Sequence, residues 1–328
     1  MFVSVGFFLA GLALIVKGGD WFVAASVRLA ELFRVPRVVV GTTLVSLATT
    51  SPELVVSLTA GSRNEPSLAV GNAVGSCVCN IGLILGASAA FKQIDVHPPA
   101  LRRPIVAMLL FGLILFALSL NLVVQRWQGG LLIVLGLGYF AWDFFQHSRH
   151  ARPLDFKEAT IIEESISKRF SWWHAPWGTV VQFLAGTLLV VLGSRLLVDS
   201  AVTVSSGLGI RPIVIGSTVV AMGTSLPELI TAFTSSRKNV SDLSVGNILG
   251  ANIANLTIVV GAAAALQEVR IDRATRLFNF PALLVSMVLF LYVVLTENRV
   301  TRRQGFVLLA AYGTYLALLS TVAALGKN

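Results

Sequence analysis

A proline and a glutamate recur together inside long apolar runs, and the recurrence is in register. Ala48-Thr49-Thr50-Ser51-Pro52-Glu53-Leu54 returns as Met222-Gly223-Thr224-Ser225-Leu226-Pro227-Glu228-Leu229. The glutamates are 228 − 53 = 175 positions apart, and the prolines give the same offset. Ala10-Gly11 matches Ala185-Gly186, Gly18 matches Gly193 and Gly41 matches Gly216. Gly71-Asn72 matches Gly246-Asn247, Gly75 matches Gly250, Asn80 matches Asn255 and Gly86 matches Gly261. So many glycines and polar residues in one register mean two copies of one unit.

The surroundings fix the solvent. Hydrophobic residues make up 55% of the chain and charged residues 12%, against roughly 25% charged in soluble domains. A bilayer needs about 20 apolar residues per spanning helix, and the sequence accommodates about ten such runs. A β-barrel would show short alternating strands instead. The expected fold is an all-α membrane protein with ten transmembrane helices in two inverted five-helix repeats. The first repeat is residues 1–145, with its motif in 41–91. A cytoplasmic connector at 146–175 follows, then the second repeat at 176–328, with its motif in 216–266. Five spans per copy invert the second against the first, and inverted repeats with helices broken at mid-depth mark transporters.

The net charge of +9 encodes orientation rather than nucleic-acid binding. Alternate loops carry an excess of Lys and Arg, including Arg28, Arg34, Arg37, Lys92, Arg102, Arg103, Arg237, Lys238, Arg299, Arg302 and Arg303. The positive-inside rule puts these in the cytoplasm and both termini outside; Arg270, Arg273 and Arg276 run against it. No cleavable signal peptide is evident. Lys17 with Asp20, and Arg195 with Asp199, have the spacing of helical ion pairs. Residues 159–167 read as a short surface helix. The runs at about 105–124 and 129–145 read as plain apolar spans, and His97, His147, His150 and His174 as loop residues. Cys77 and Cys79 point to different sides of a helix and are expected to pack without a mutual disulfide. The spacing of Gly71 and Gly75 suggests helix packing.

The repeated motif carries the chemistry. Pro52 has no N–H, so the carbonyl of Ala48 loses its helical partner; Pro227 does the same to Gly223. Irregular backbone at membrane depth is tolerated only where it is buried in protein or lines a cavity. Ser46, Thr49 and Glu53 share one helix face; so do Asn72, Ser76 and Asn80, Thr224 and Glu228, and Asn247 and Asn255. Ala251 stands where the first copy has Ser76. Carboxylates, amides, hydroxyls and freed carbonyls form a set of hard oxygens, which suit Na⁺ and Ca²⁺. Two ionised glutamates give a charge of −2, neutralised by one Ca²⁺ or two Na⁺; loading both in full would overcharge a dry pocket. A lone membrane glutamate could be a protonated structural residue, but two matched copies beside matched prolines argue for use. Asn72 and Asn247 could instead serve as interhelical hydrogen-bonding glue.

These motifs resemble the α-repeats of the cation/calcium exchanger superfamily, specifically its prokaryotic sodium/calcium exchanger branch. The likeness covers nearly the whole chain. Gly-Thr-Ser-Leu-Pro-Glu is intact at Gly223 to Glu228, and Gly-Asn-x-x-Gly-Ala-Asn-x-x-Asn at Gly246 to Asn255. The resemblance implies that Glu53 and Glu228 bind the exchanged cations. It implicates Thr49, Thr50, Ser76, Thr224 and Ser225, the carbonyls of Ser46 and Ala221, and the polar residues Asn80 and Asn255. Departures are Ala48 in place of Gly, Thr50-Ser51 against Ser225-Leu226, and Cys77 opposite Asn252. Some members have an aspartate at the position of Asn255, and the potassium-dependent branch is associated with it. Asn at both 80 and 255 argues against K⁺ co-transport.

The expected function is Na⁺/Ca²⁺ antiport by alternating access, in which several Na⁺ enter as one Ca²⁺ leaves. H⁺ is the alternative coupling ion. No phosphate-binding loop is present, and an intramembrane hydrolase lacks its His or Asp in the motif segments. The expected setting is a prokaryotic plasma membrane, with the lipid bilayer and the ions as partners, no organic cofactor, no nucleic acid and no obligate protein partner.

Overall fold

The structure is a computed structural model and describes residues 2–62, 66–96, 98–149, 175–207, 221–271, 275–296 and 299–325. The chain is a helical membrane protein. The first copy contains α1 (Phe2–Phe33), α2 (Arg37–Val40), α3 (Ser46–Thr49), α4 (Ser51–Ser62), α5 (Pro66–Cys79), α6 (Gly86–Phe91), α7 (Pro98–Ser119) and α8 (Arg126–Arg149). The second contains α9 (Pro176–Gly207), α10 (Ala221–Thr224), α11 (Leu226–Arg237), α12 (Ser241–Ala254), α13 (Val260–Leu266), α14 (Phe280–Thr296) and α15 (Arg302–Leu325). Among the described residues, seven helices are long and apolar enough to cross a membrane, or eight if the pair bent by 41° at Thr50 counts as one span. Residues 150–174 of the connector expected at 146–175, with its expected surface helix, and residues 208–220 lie outside the described residues.

Element boundaries repeat in the register of the sequence. Adding 175 to α3, α4 and α5 gives the limits of α10, α11 and α12. Helices break where the sequence demands it. Thr50 (φ −78°, ψ 0°) and Ser225 (φ −90°, ψ 9°) occupy the same sparsely allowed bridge region. Two residues on, Pro52 and Pro227 sit in the first turn of a new helix, where a missing N–H costs nothing. Widened π-helical turns begin at Asn80 and Asn255, also 175 apart. Such turns cluster at functional sites. A third, Gly41–Val45, joins α2 to α3.

Contacts between the copies exchange under the same shift. Strand β1 (Ile94–Asp95) pairs antiparallel with β4 (Arg299–Val300), and β2 (Val123–Val124) with β3 (Val269–Arg270). The repeat turns β1 into β3 and brings β2 to within a residue of β4, so one ribbon maps onto the other. Helices α1 and α9 cross closely. A Cβ on Gly18 would lie 3.0 Å from the Gly186 carbonyl, and one on Gly193 2.8 Å from that of Gly11. Gly18 and Gly193 are repeat mates, as are Gly11 and Gly186. Lipid offers no hydrophobic drive between helices, so close approach of small residues does that work. The centre is α5, α12 and their π turns, where residues from Leu243 to Thr257 are all buried.

Several expectations need correction. The polar run Lys17-Gly18-Gly19-Asp20 interrupts the first apolar segment in the sequence, yet helix α1 runs through it unbroken. Asp20 pairs not with Lys17 but with Arg237 at 2.6 Å and Lys238 at 3.4 Å, while Lys17 lies over the Trp21 ring at 5.5 Å. Tertiary neighbours supply a second cation that local spacing cannot foresee. Burial pulls the Lys238 ammonium below its ordinary pKa, against the pull of Asp20. Arg195 and Asp199, both exposed, form no ion pair with each other: water solvates each at little cost. His147 lies on α8, not in a loop, and α8 is no plain apolar span, since Asp143 is fully buried in it. Cys77 and Cys79 are free and buried, as expected.

Helix α12 lies so close to the π turn at Gly41–Val45 that a Cβ on Gly250 would strike the carbonyl of Thr42. Gly250→Ala should therefore cost about 1–3 kcal/mol of overpacking, read as a lower melting temperature in detergent. Gly313→Ala on α15, where nothing lies within 4 Å, should leave melting unchanged.

Candidate cation site

Glu53 and Glu228 stand in the first turns of α4 and α11. A helix N-terminus carries partial positive charge, which favours a carboxylate there. The short helices before them, α3 and α10, end at the same place and turn their C-terminal, partly negative ends toward it. Each break therefore presents an acid and a set of carbonyl dipoles together.

Both side chains have no exposed surface. Each is held by the other copy. Ser225 donates its hydroxyl to Glu53 Oε1 at 3.2 Å, and Thr50 donates to Glu228 Oε1 at 3.4 Å. Thr50 and Ser225 are repeat mates, so the two bonds are one bond seen twice. Ser225 also lies 3.4 Å from the Ser76 hydroxyl. Thr224 lies beside Glu53, as Thr49 lies beside Glu228. Thr49 donates to Asn247 Oδ1 at 3.1 Å. Asn80 donates to Asn252 Oδ1 at 3.0 Å, tying the first copy's π turn to α12.

Ser46 is buried and bonds the Thr42 carbonyl at 2.7 Å, while its own carbonyl accepts from the Thr50 amide at 2.9 Å and the Thr49 hydroxyl at 3.3 Å. Asn255 is fully buried at the head of its π turn. Ala221 opens α10; its side chain lies outside the described residues. Glu53, Glu228, Thr49, Thr50, Ser76, Ser225 and Asn80 thus come together. Asn72 sits to one side, bonding the Glu53 carbonyl at 3.4 Å and Ser57 at 3.2 Å, which is the interhelical glue its sequence position allowed.

In the first copy the carbonyl freed by proline is not left open. The Ala48 carbonyl freed by Pro52 is taken by the Ser51 hydroxyl at 2.8 Å. Leu226, the mate of Ser51, has no hydroxyl to offer Gly223. Two residues were underrated: Asn247 and Asn252 bridge to Thr49 and Asn80. For Asn247 the match to Asn72 was the available signal; for Asn252, which stands opposite Cys77, it was the motif Gly-Asn-x-x-Gly-Ala-Asn-x-x-Asn.

The atoms left without partners suit a cation. Glu53 Oε2, Glu228 Oε2, Asn80 Oδ1 and Asn255 Oδ1 are buried acceptors with no hydrogen bond, and orphaned buried acceptors call for an explanation. Among the described residues no group of three or more His, Cys, Asp or Glu side chains is close enough to hold a metal. The donor set is hydroxyls, amides and carbonyls around two carboxylates, the chemistry of hard cations.

Comparison with known proteins agrees with this chemistry. The family profile described as "Sodium/calcium exchanger protein" matches residues 3–145 and 178–321. An uncharacterized membrane protein of Methanocaldococcus jannaschii is 33% identical over 320 residues, covering 97% of this chain and 99% of its own. The sodium/calcium exchanger MaX1 of Methanosarcina acetivorans is 28% identical over 95% of this chain and 97% of its own. The solved structure of the sodium-calcium exchanger NCX_Mj, soaked with zero Na⁺ and Ca²⁺, superposes with a TM-score of 0.81 at 30% identity, over 97% of this chain and 99% of that one.

Ser51→Ala should leave the Ala48 carbonyl without a hydroxyl donor, as the sequence leaves Gly223. The cost should be about 1 kcal/mol, measured as a small drop in melting temperature with the fold intact. An unchanged melting temperature would show that the bond adds nothing.

Proposed function

This chain belongs to the sodium/calcium exchanger family, and from that premise we propose how its residues perform the exchange. It is a secondary antiporter of the family's prokaryotic branch, not an enzyme, and it exchanges Na⁺ for Ca²⁺ across a membrane. Several Na⁺ move in as one Ca²⁺ moves out. The ions compete for a site made by Glu53 and Glu228, with Thr49, Thr50, Ser76, Thr224, Ser225, Asn80 and Asn255 around them and the carbonyls of Ser46 and Ala221 above each break. The observation that carries this is the crossed pair of bonds, Ser225 to Glu53 and Thr50 to Glu228. It makes one site from two copies.

The charge balance explains the coupling. Two carboxylates buried in a low-dielectric centre tolerate one divalent or two monovalent charges at a time. Filling by one species displaces the other, and the gradient of one drives the other. Neither Asn80 nor Asn255 adds a third carboxylate, so neither K⁺ nor a held proton is needed at that position. H⁺ as coupling ion is favoured by no feature of the site.

Ten spans in two inverted five-helix repeats, residues 1–145 and 176–328 joined by a cytoplasmic connector at 146–175, are the architecture we infer. The paired breaks, the paired π turns and the exchange of contacts between copies support it. Inversion lets one half adopt the shape of the other, which opens the same site to either side in turn. The membrane is a prokaryotic plasma membrane, with both termini extracytoplasmic on the balance of basic loops.

Proteoliposomes loaded with Na⁺ should accumulate ⁴⁵Ca²⁺ from Na⁺-free medium. Glu53→Gln and Glu228→Gln should each weaken Ca²⁺ binding at least about tenfold, or 1.4 kcal/mol, and abolish Na⁺-driven flux. Undiminished flux in Glu53→Gln would falsify the site. A C-terminal epitope tag should be reached by antibody in intact spheroplasts; protection of the tag would reverse the orientation.

A further inference from the structure

The first copy holds a buried acid that its mate lacks. Asp143 on α8 has no exposed surface. The α8 and α15 helices start 176 apart, which sets Leu319 opposite Asp143 and Ala323 opposite His147. A charge within a membrane span is costly and seldom kept idle, and this one belongs to no repeated motif.

Its surroundings divide its two oxygens. Oδ2 accepts the Thr42 hydroxyl at 3.2 Å. Oδ1 has no hydrogen bond and faces His147 Nδ1 at 3.5 Å. His147 is one turn nearer the end of α8 and 21% exposed; its Nδ1 is also 2.8 Å from the Asp143 carbonyl. Nδ1 therefore faces Asp143 while the rest of the ring reaches the surface. The Tyr139 hydroxyl, one turn back, is buried without a partner. From α7, Arg103 acts on Asp143 and stacks over Trp142 at 5.5 Å. Helix α2 brings Arg37, and the end of α1, which meets α8 through Phe33 and Phe144, brings Glu31 and Arg34. The π turns and α13 packed on α8 carry no titratable side chain.

The partner of Oδ2 is what gives this group a reach. Thr42 lies in the π turn Gly41–Val45. Its hydroxyl is shared with the Val39 carbonyl at 3.0 Å, and its own carbonyl receives the Ser46 hydroxyl at 2.7 Å. Asp143 is thus two bonds from Ser46 and makes no direct contact with the site.

We propose that Asp143 and His147 form a proton-binding site, separate from the Glu53–Glu228 site, whose occupancy sets how firmly the π turn is held. A proton from water is taken up at the imidazole or passed on to Oδ1, and returns by the same route; no other bond forms or breaks. While Asp143 is ionised, Thr42 donates to a full charge and the turn is pinned to α8. Once the carboxyl is neutral that bond weakens, Thr42 keeps its bond to Val39, and the turn that leads into Ser46 is released. Proton occupancy changes how fast the broken helix moves, not which ion it carries.

The inference rests on the exchange reading, and its test separates the two. Na⁺-driven ⁴⁵Ca²⁺ flux is measured in proteoliposomes at saturating Na⁺ and Ca²⁺, between about pH 5 and 8. Saturation removes proton competition at the glutamates, which alters apparent affinity. The wild-type maximal rate should change about fivefold or more across this range, the low end of coupling between sites. Asp143→Asn keeps an acceptor for Thr42, and His147→Gln sits at the surface end; both should flatten the profile while flux persists. Thr42→Val should also flatten it, yet keep the protonated-carboxyl band that Asp143→Asn removes from the infrared difference spectrum. Profiles parallel to wild type in Asp143→Asn and His147→Gln would overturn the proposal and leave exchange standing. Absence of wild-type flux at every pH would instead remove the exchange reading itself.

Discussion

A proline cannot donate to a helix, and a bilayer offers no water to make good the loss. The structure answers this constraint by ending one helix at Thr49 and at Thr224 and starting another after a single intervening residue. The break places a helix C-terminus and a helix N-terminus at the same depth. Carbonyls of the first attract cations, and amides of the second stabilise an acid. Such a break is kept only where it is buried in protein or lines a cavity, and the rest of the molecule packs around two of them.

Neither copy can satisfy its own acid. Glu53 takes its hydroxyl from Ser225 and Glu228 takes its hydroxyl from Thr50. Each carboxylate therefore depends on the other copy's break being in place, which couples the two copies at the pair of acids. The glycine crossings of α1 with α9, and the two short ribbons at the rim, follow the same exchange of partners. Contacts that map onto each other this way give two arrangements of equal quality, which is the condition for a site that opens to one side and then to the other.

Departures from symmetry lie outside that centre or at its edge. Ser51 closes the Ala48 carbonyl, a bond that its mate Leu226, without a hydroxyl, cannot make. Asp20 is clasped by Arg237 and Lys238, whereas its mate, the exposed Arg195, has no ion pair among the described residues. Asp143 and His147 occur in the first copy alone. The clasp on Asp20 and the bond to Asp143 were not legible from spacing. Each depends on a partner 100 or more positions away, such as Thr42 for Asp143, and local helical periodicity carries no information at that range. A span that reads as plainly apolar can hide one acid among bulky side chains, as α8 does.

The amino-acid sequence by itself determined the bilayer as solvent, the unit of repetition, the positions of both breaks and the oxygen-rich residue types at the site. These follow from composition, register and the chemistry of proline, all of which are local or periodic. Tertiary structure alone decided which hydroxyl serves which acid, that the partners cross between copies, and that Asn247 and Asn252 bridge to Thr49 and Asn80. A repeat tells that two segments are alike, but not that they meet. Their meeting is set by packing of small residues against distant backbone, where a single methyl on Gly250 meets the Thr42 carbonyl.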